Sequence, residues 1–460
     1  MAESSTAIGT PQFSPRASLA ALGTRLGSLD LFGPVRQRVR IAQKTVKHTP
    51  TDKLYDAFIA MLAGAHGLVE INTRVRSDPA LQAAFGRRGC AEQSVVQETL
   101  DACTAENVAE LEQAVAAIYR QHSRGYRHDY AADWQILDAD MSGLPCGPKA
   151  ACATKGYFAK QRNRRGRQLG RVVASRYDEV VVDRLFDGKT QLSAALQPLV
   201  LAAEETLGLD ETQRRRTVLR VDAGGGSVDD VNWALARGYR VHAKDYSTQR
   251  ATKLAASVAE WVDDPQTPGR QVGWVTAPAT QYVQPLHRVA VRCRKQDGGW
   301  GVGVLLSALA PPEVLQLTGQ SADRASDPAA ALLAYVYFYD QRGGACETAN
   351  KGGKQGLGVT KRNKKRFAAQ AMLLLLGTLA HNVLIWARHW LAPRCPHLAR
   401  YGLLRLVRDV GHISGSLTRD ASGQLVTVVL NRAAPLAPHL AAALGVLLAD
   451  DGVAVTLGQT

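Results

Sequence analysis

Ala132-Asp-Trp-Gln-Ile-Leu-Asp-Ala-Asp140 is the stretch on which the fold turns. Its residues alternate with a period of two, which sets Ile136, Asp138 and Asp140 on one side of an extended strand and Leu137 and Ala139 on the other. Met141-Ser-Gly-Leu-Pro-Cys-Gly147 then turns the chain.

Beyond that turn the pattern predicts strands over 168–177 and 179–186, the second ended by Asp187-Gly188. A helix over 190–207 leads to a strand over 217–222, closed by Gly224-Gly-Gly226. A short helix over 228–236 and a strand over 239–243 complete a βαβ step. The order β-β-β-α-β-α-β-α is the connectivity of an α/β, ribonuclease-H-like mixed sheet, in which three antiparallel strands are extended by parallel ones. From 271 to 309 the sequence is strand-like again, with Val289, Val291 and the turn Gly298-Gly-Trp-Gly301, and reads as a β-rich insertion. The chain then returns to the core through Leu332–Tyr339, with a final catalytic helix from Glu347.

In the other direction, Leu54, Phe58, Ile59, Leu62, Leu68 and Ile71 recur at helical steps from Thr51 toward Arg124. Gln93–Leu100 suits the groove-reading helix of a helix-turn-helix and suits an ordinary bundle face equally. The expected organisation is a flexible N-terminal arm (1–50), a helical DNA-binding region (51–128) and the first part of the core (129–265). The insertion (266–330), the second part of the core (331–395) and a C-terminal region (396–460) follow. Phe367–Trp386 is apolar enough to raise a transmembrane reading. It carries Gln370, His381 and Asn382, which are costly in lipid, so a buried core helix packing on the sheet is expected, with no membrane partner.

A formal charge of +15 over 460 residues favours a polyanionic partner, because neutralised phosphates release counterions. The seven cysteines form no C-x-x-C pair, which fits reduced thiols better than a disulfide framework or a zinc site. The N-terminus lacks the apolar run of a signal peptide. A cytoplasmic protein, nucleoid-associated when on DNA, is the expectation.

Three carboxylates stand where strands or helices meet loops: Asp140, Asp222 and Glu347. They are far apart in sequence, so only the fold can gather them. Hard oxygen donors suit Mg²⁺ or Mn²⁺, and two such ions ~3.5–4 Å apart activate and stabilise the oxygens of an in-line phosphodiester displacement. Glu347 is followed, from Thr348 to Arg408, by a stretch without Asp or Glu; Lys351, Lys354, Lys361, Arg362, Lys364, Lys365 and Arg366 crowd its start. Lys160, Arg162, Arg164, Arg165, Arg167, Arg171 and Arg176 form a second acid-free run, which beside the first Asp would line a groove for DNA backbone. Trp233, Trp274 and Trp300 suit stacking on a flipped base or core packing.

The stretches Leu137–Gly147, Lys155-Gly-Tyr-Phe158, Arg165–Gly170, Leu219–Gly226, Arg237–Lys244 and Tyr339-Asp-Gln-Arg-Gly-Gly-Ala-Cys-Glu347 resemble those of bacterial insertion-sequence DDE transposases. The likeness is to the group with a β-strand insertion before the Glu and a Tyr-Arg-Glu-Lys signature around it. It implies that Asp140, or Asp138 one alternation earlier, is the first metal ligand, with Asp222 the second and Glu347 the third. It implies that Tyr339, Arg342 and Lys354 contact phosphates, with Arg164, Arg165, Arg167 and Lys244 as further DNA contacts. The spacing Y-x2-R-x4-E-x6-K has one residue more between Arg and Glu than the common form. The implied activity is hydrolysis at transposon ends and strand transfer into target DNA. The implied partners are double-stranded DNA (terminal inverted repeats and target) and a second copy of the chain in the DNA complex.

Two rivals remain at this stage. One is a catalytically silent, DNA-binding relic of such an enzyme. The other is a Rossmann-like, S-adenosylmethionine-dependent methyltransferase, with Gly224–Gly226 as its nucleotide loop and Asp245 at the ribose.

Overall fold

The computed structural model describes residues 9–158, 161, 163–361 and 363–459. Lys160, Arg162 and Arg362 of the two basic runs lie outside the described residues. The chain divides into two compact units, each assembled from separated segments. One comprises Arg124–Gly143 and Lys155–Thr348; the other comprises Met1–Ser123, Leu144–Thr154 and Ala349–Thr460.

The first unit is built on a mixed sheet. Its strands are β1 (Gln135–Pro145), β2 (Arg165–Ala174), β3 (Glu179–Asp187), β4 (Thr217–Val221), β5 (Arg240–Lys244), β6 (Arg270–Trp274), β7 (His287–Arg294) and β8 (Trp300–Ser307). Across the sheet they run β3-β2-β1-β4-β5-β8-β7-β6. β1, β4 and β5 are parallel neighbours, whereas β2 and β3 are antiparallel. The stretch expected as an insertion prolongs the same sheet, because β8 pairs antiparallel with β5 through Leu305↔Lys244 and Ser307↔His242.

Helices flank the sheet. α1 (Leu192–Leu207) packs on β2 and β3, α2 (Val228–Ala236) on β5, and α3 (Thr248–Ala255) on β7 and β8. After α4 (Pro311–Leu317) comes α5 (Pro328–Arg342). Tyr335, Val336 and Phe338 of α5 share a buried cluster with Ile136, Val218, Val272, Val289 and Leu305. The return through Leu332–Tyr339 is therefore helical, and it delivers the Tyr-Arg-Glu segment to one face of the sheet.

In the second unit, residues 9–50 are not a flexible arm. Gln12–Ser14 pairs with Gly415–Arg419 in a sheet that continues through Leu425–Asn431 and Ala454–Gly458, and the helix Ala17–Ser28 buries Ala17, Leu19, Ala20 and Leu26. Thr49 and Asp52 cap the helix Pro50–Leu62 reciprocally: each side chain accepts the other's backbone N–H at 3.1 Å. Gln93–Ala102 packs between that helix and Phe367–Leu391, and its Thr99 hydroxyl donates to Gln43 Oε1 at 2.6 Å. Phe367–Leu391 is long and apolar enough to cross a membrane, and 94% of its most apolar window is buried. Its neighbours in the unit are the helices Pro50–Leu62, Gln93–Ala102, Ala105–His122 and Ala437–Leu447, so it is a core helix among helices rather than a cover for the sheet.

Candidate active site

The parallel register brings the two aspartates together. Ala139 stands opposite Val221, and Val221 opposite Ala243. The next residues, Asp140, Asp222 and Lys244, therefore stand level with one another: Asp140 midway along β1, Asp222 just past the end of β4 and Lys244 at the end of β5. After Asp222 the backbone turns sharply. Gly224 N–H donates to Asp222 Oδ1 at 2.9 Å, and a Cβ on Gly226 would lie 1.8 Å from the Lys244 carbonyl oxygen, so only glycine allows this turn against β5.

One strand face carries both Asp138 and Asp140, but their surroundings differ. Asp138 is fully buried and takes a two-pronged ion pair from Arg220, Nε to Oδ1 at 2.7 Å and Nη2 to Oδ2 at 2.8 Å, while Ser175 Oγ donates to Oδ2. Arg220 Nη1 also donates to the Phe338 carbonyl at 2.7 Å, which ties α5 to β1 and β4. Asp138 is thus spent on the fold. Asp140 is half-buried, accepts the Met141 N–H at 2.9 Å and has the Cys346 thiol 4.0 Å from Oδ2. Burial raises its pKa to about 6; Arg342 opposes the shift, and Asp222 and Glu347 add to it. The other two carboxylates, Asp222 and Glu347, are therefore within electrostatic reach of Asp140.

Glu347 arrives on a π-helical turn, Gly343–Glu347, that follows α5. In an α-helix a residue five positions on lies about 140° around the axis from its start. An i→i+5 turn absorbs the extra residue and returns Glu347 toward the face of Arg342. Thr348 Oγ1 satisfies the Gly343 carbonyl at 3.0 Å, closing the widened turn.

Tyr339 and Arg342 both reach the site. Tyr339 is half-buried, with its pKa raised to about 12 by burial; Asp222 and Asp140 contribute to the rise and Arg342 opposes it. Arg342 is only 4% exposed, and its Nη2 donates to the Ala139 carbonyl at 3.2 Å. Burial disfavours its charge, but Asp138 and Asp140 outweigh that and raise its pKa. Its guanidinium fastens the helix to β1, a different task from the phosphate contact the signature implies. Lys354 belongs to the other unit.

The basic run fares unevenly. Arg164 and Arg165 are exposed, but Arg167 is 1% exposed and offers no surface guanidinium to DNA. Arg171 is buried in a bidentate pair with Asp183 at 2.7 and 2.6 Å, and Arg176 pairs with Asp133 at 2.6 Å. The run lacks local acids because its acids come from elsewhere in the chain. Of the tryptophans, Trp274 packs against Tyr335 and His287. Trp233 and Trp300 lie under Arg237 and under Arg292 and Arg294, respectively. Asp245, the ribose ligand of the methyltransferase reading, is buried and paired with Arg250 at 2.6 Å.

Among the described residues, no three His, Cys, Asp or Glu side chains are close enough as placed to close around a metal ion. The donor chemistry nevertheless suits a hard divalent cation. Asp222 and Glu347 add to the cost of ionising Asp140, and a cation beside Asp140 would relieve that cost.

No family model matches the sequence, and no curated protein does. Among solved structures, the chain is similar to the cryo-EM structure of a piggyBac transposase synaptic complex with hairpin DNA. The TM-score is 0.45 at 10% identity, covering 87% of this chain and 82% of that one. A score of that size does not establish a shared fold.

Proposed function

We propose that this chain is a DDE-type DNA transposase with a ribonuclease-H-like catalytic core, cutting DNA at element ends and joining the freed ends to target DNA. One observation carries the reading. Parallel register sets Asp140, midway along β1, beside Asp222 just past the end of β4, and the turn after α5 brings Glu347 within the field of Asp140. The strand order β3-β2-β1-β4-β5 and the net charge of +15 support it.

In this reading Asp140, Asp222 and Glu347 hold Mg²⁺ or Mn²⁺, two ions in the full complex. Bound there, the metal supplies polarisation of the phosphodiester and activation of the attacking hydroxyl. The rest is positioning. Arg220 and Arg342 hold α5 against β1 and so fix where Glu347 stands. Lys244, exposed and level with Asp222, offers its ammonium to a phosphate, as do Arg164 and Arg165. Tyr339 orients the phosphate from the helix side; Lys354, which belongs to the other unit, is proposed as a DNA-backbone contact in its own right. A dimer pairing two element ends is part of the proposal.

The test is incubation of the protein with plasmid carrying the flanking repeats, with and without Mg²⁺. Cleavage at the repeat borders only with metal is expected, and Asp222→Asn should lower it by on the order of 10³-fold or more while leaving duplex binding intact. Border cleavage retained in Asp222→Asn would refute the assignment. Duplex binding without cleavage in the wild type would favour the silent relic.

A further inference from the structure

At the opposite ends of β4 and β5 from Asp222 lies a cleft of about 600 Å³ whose charged lining is Arg214, Arg215, Arg237 and Arg240 with a single carboxylate, Glu211. Arg240 opens β5 and stands opposite Val218, so the cleft is roughly 13 Å along the strands from the carboxylates. Two of the four charges are answered within the protein: Arg237 pairs with Glu204, and Arg215 with Glu211. Two are not. Arg214 donates to neutral acceptors, the Arg237 carbonyl at 2.9 Å and the Leu209 carbonyl at 3.0 Å. Arg240 Nε is buried with no hydrogen-bond partner. A buried guanidinium N–H without an acceptor, on the wall of a cleft with excess positive charge, calls for an oxyanion.

We propose that this cleft is a second phosphate-binding site, with Arg240 as its central donor, and that its occupant is the backbone of a DNA duplex away from the point of strand cleavage. Naming DNA as the source rests on the function proposed above; the affinity for a phosphate oxyanion does not. A protein that handles both an element end and a target needs more than one backbone-binding surface, and the two ends of this sheet offer separate ones.

The test is equilibrium binding of a fluorescent duplex to the full chain in EDTA across a KCl titration. Arg240→Ala should flatten the slope of log K against log [KCl] by about 0.9, and should weaken binding on the order of eightfold near ~0.1 M salt. Arg240→Lys should keep most of the slope. Because Arg215 is exposed, Arg215→Ala folds regardless of Arg240, and should weaken binding by unmasking Glu211. Slopes and affinities unchanged in Arg240→Ala and Arg215→Ala would overturn the proposal. It would also be overturned, as a DNA site, if inorganic phosphate raised the unfolding temperature of the wild type more than that of Arg240→Ala while the DNA slopes stayed equal. A wild type that binds no duplex would instead refute the proposed function, so the two failures are distinguishable.

Discussion

Asp138 and Asp140 are two residues apart, share a strand face and have opposite fates. Sequence alternation put both on that face and could not choose between them, because the deciding partner, Arg220, comes from another strand. The same blindness misread Arg167, Arg171 and Arg176, whose burial or acidic partners are set by long-range pairing. Two predictions follow at this scale. In metal-free protein the Asp140 pKa of about 6 lies above its ordinary 3.8, so folding favours the protonated form. That stabilisation is present below pH ~4 and lost as the pH rises through ~6. Asp140→Asn, which mimics the protonated acid, should therefore stabilise the EDTA-treated protein by about 2 kcal/mol at pH 7.5, a discounted value for a half-exposed group, and by almost nothing at pH ~4. Thermal unfolding at the two pH values checks it; an equal effect at both would contradict the assigned electrostatics. Arg220→Met should cost about 3–5 kcal/mol in urea unfolding, because it strips Asp138 of its main counter-charge inside the fold. The Asp138→Leu/Arg220→Met pair should recover most of that loss. A double variant as unstable as the single one would show that the pair's charges are not what the site depends on.

Elements were easier to read than partners. The strand at Gln135–Asp140, the paired strands around Asp178 and the βαβ step through Gly224–Gly226 follow from local periodicity and turn residues; the exception is Met141–Gly147, expected to turn the chain, through which β1 instead continues to Pro145. The π turn was visible only as a spacing anomaly, one residue too many between Arg342 and Glu347. A linear pattern does not say whether an extra residue rotates everything after it or is swallowed by a wider turn; the i→i+5 geometry says the latter. Gly344, with open space around its Cβ position, is the place to test this. Deleting Gly344 should convert the turn to regular α-helix, keep Glu347 near the face of Arg342 and preserve metal-dependent cleavage within about tenfold. Inserting an alanine after Gly344 should swing Glu347 by about 100° and abolish cleavage. Activity surviving the insertion but not the deletion would refute the π-turn account.

The molecule as a whole defies division by sequence position. Composition suggested consecutive domains, yet the first unit takes Arg124–Gly143 from one side of a segment that belongs to the other unit, and the long helix near the core's expected end packs with the N-terminal helices. Burial decides this, since Phe367–Leu391 is apolar nearly all round and needs helices about it rather than one sheet face. The consequence for the first unit is that its central strand is supplied from outside its longest segment. β1 lies between β2 and β4 and carries the partner of Arg220. A polypeptide covering Lys155–Thr348 lacks it, which removes the ladder from Gln135↔Thr217 to Ala139↔Val221 and leaves Arg220 buried without Asp138. That fragment should show no cooperative thermal transition and no near-ultraviolet circular dichroism. Arg124–Thr348, which restores β1, should show both. Because the missing strand also carries Asp140, a fragment without β1 that nonetheless unfolded cooperatively would mean that the sheet closes without it, and that Asp140 and Asp222 are not held level by the register on which the catalytic reading depends.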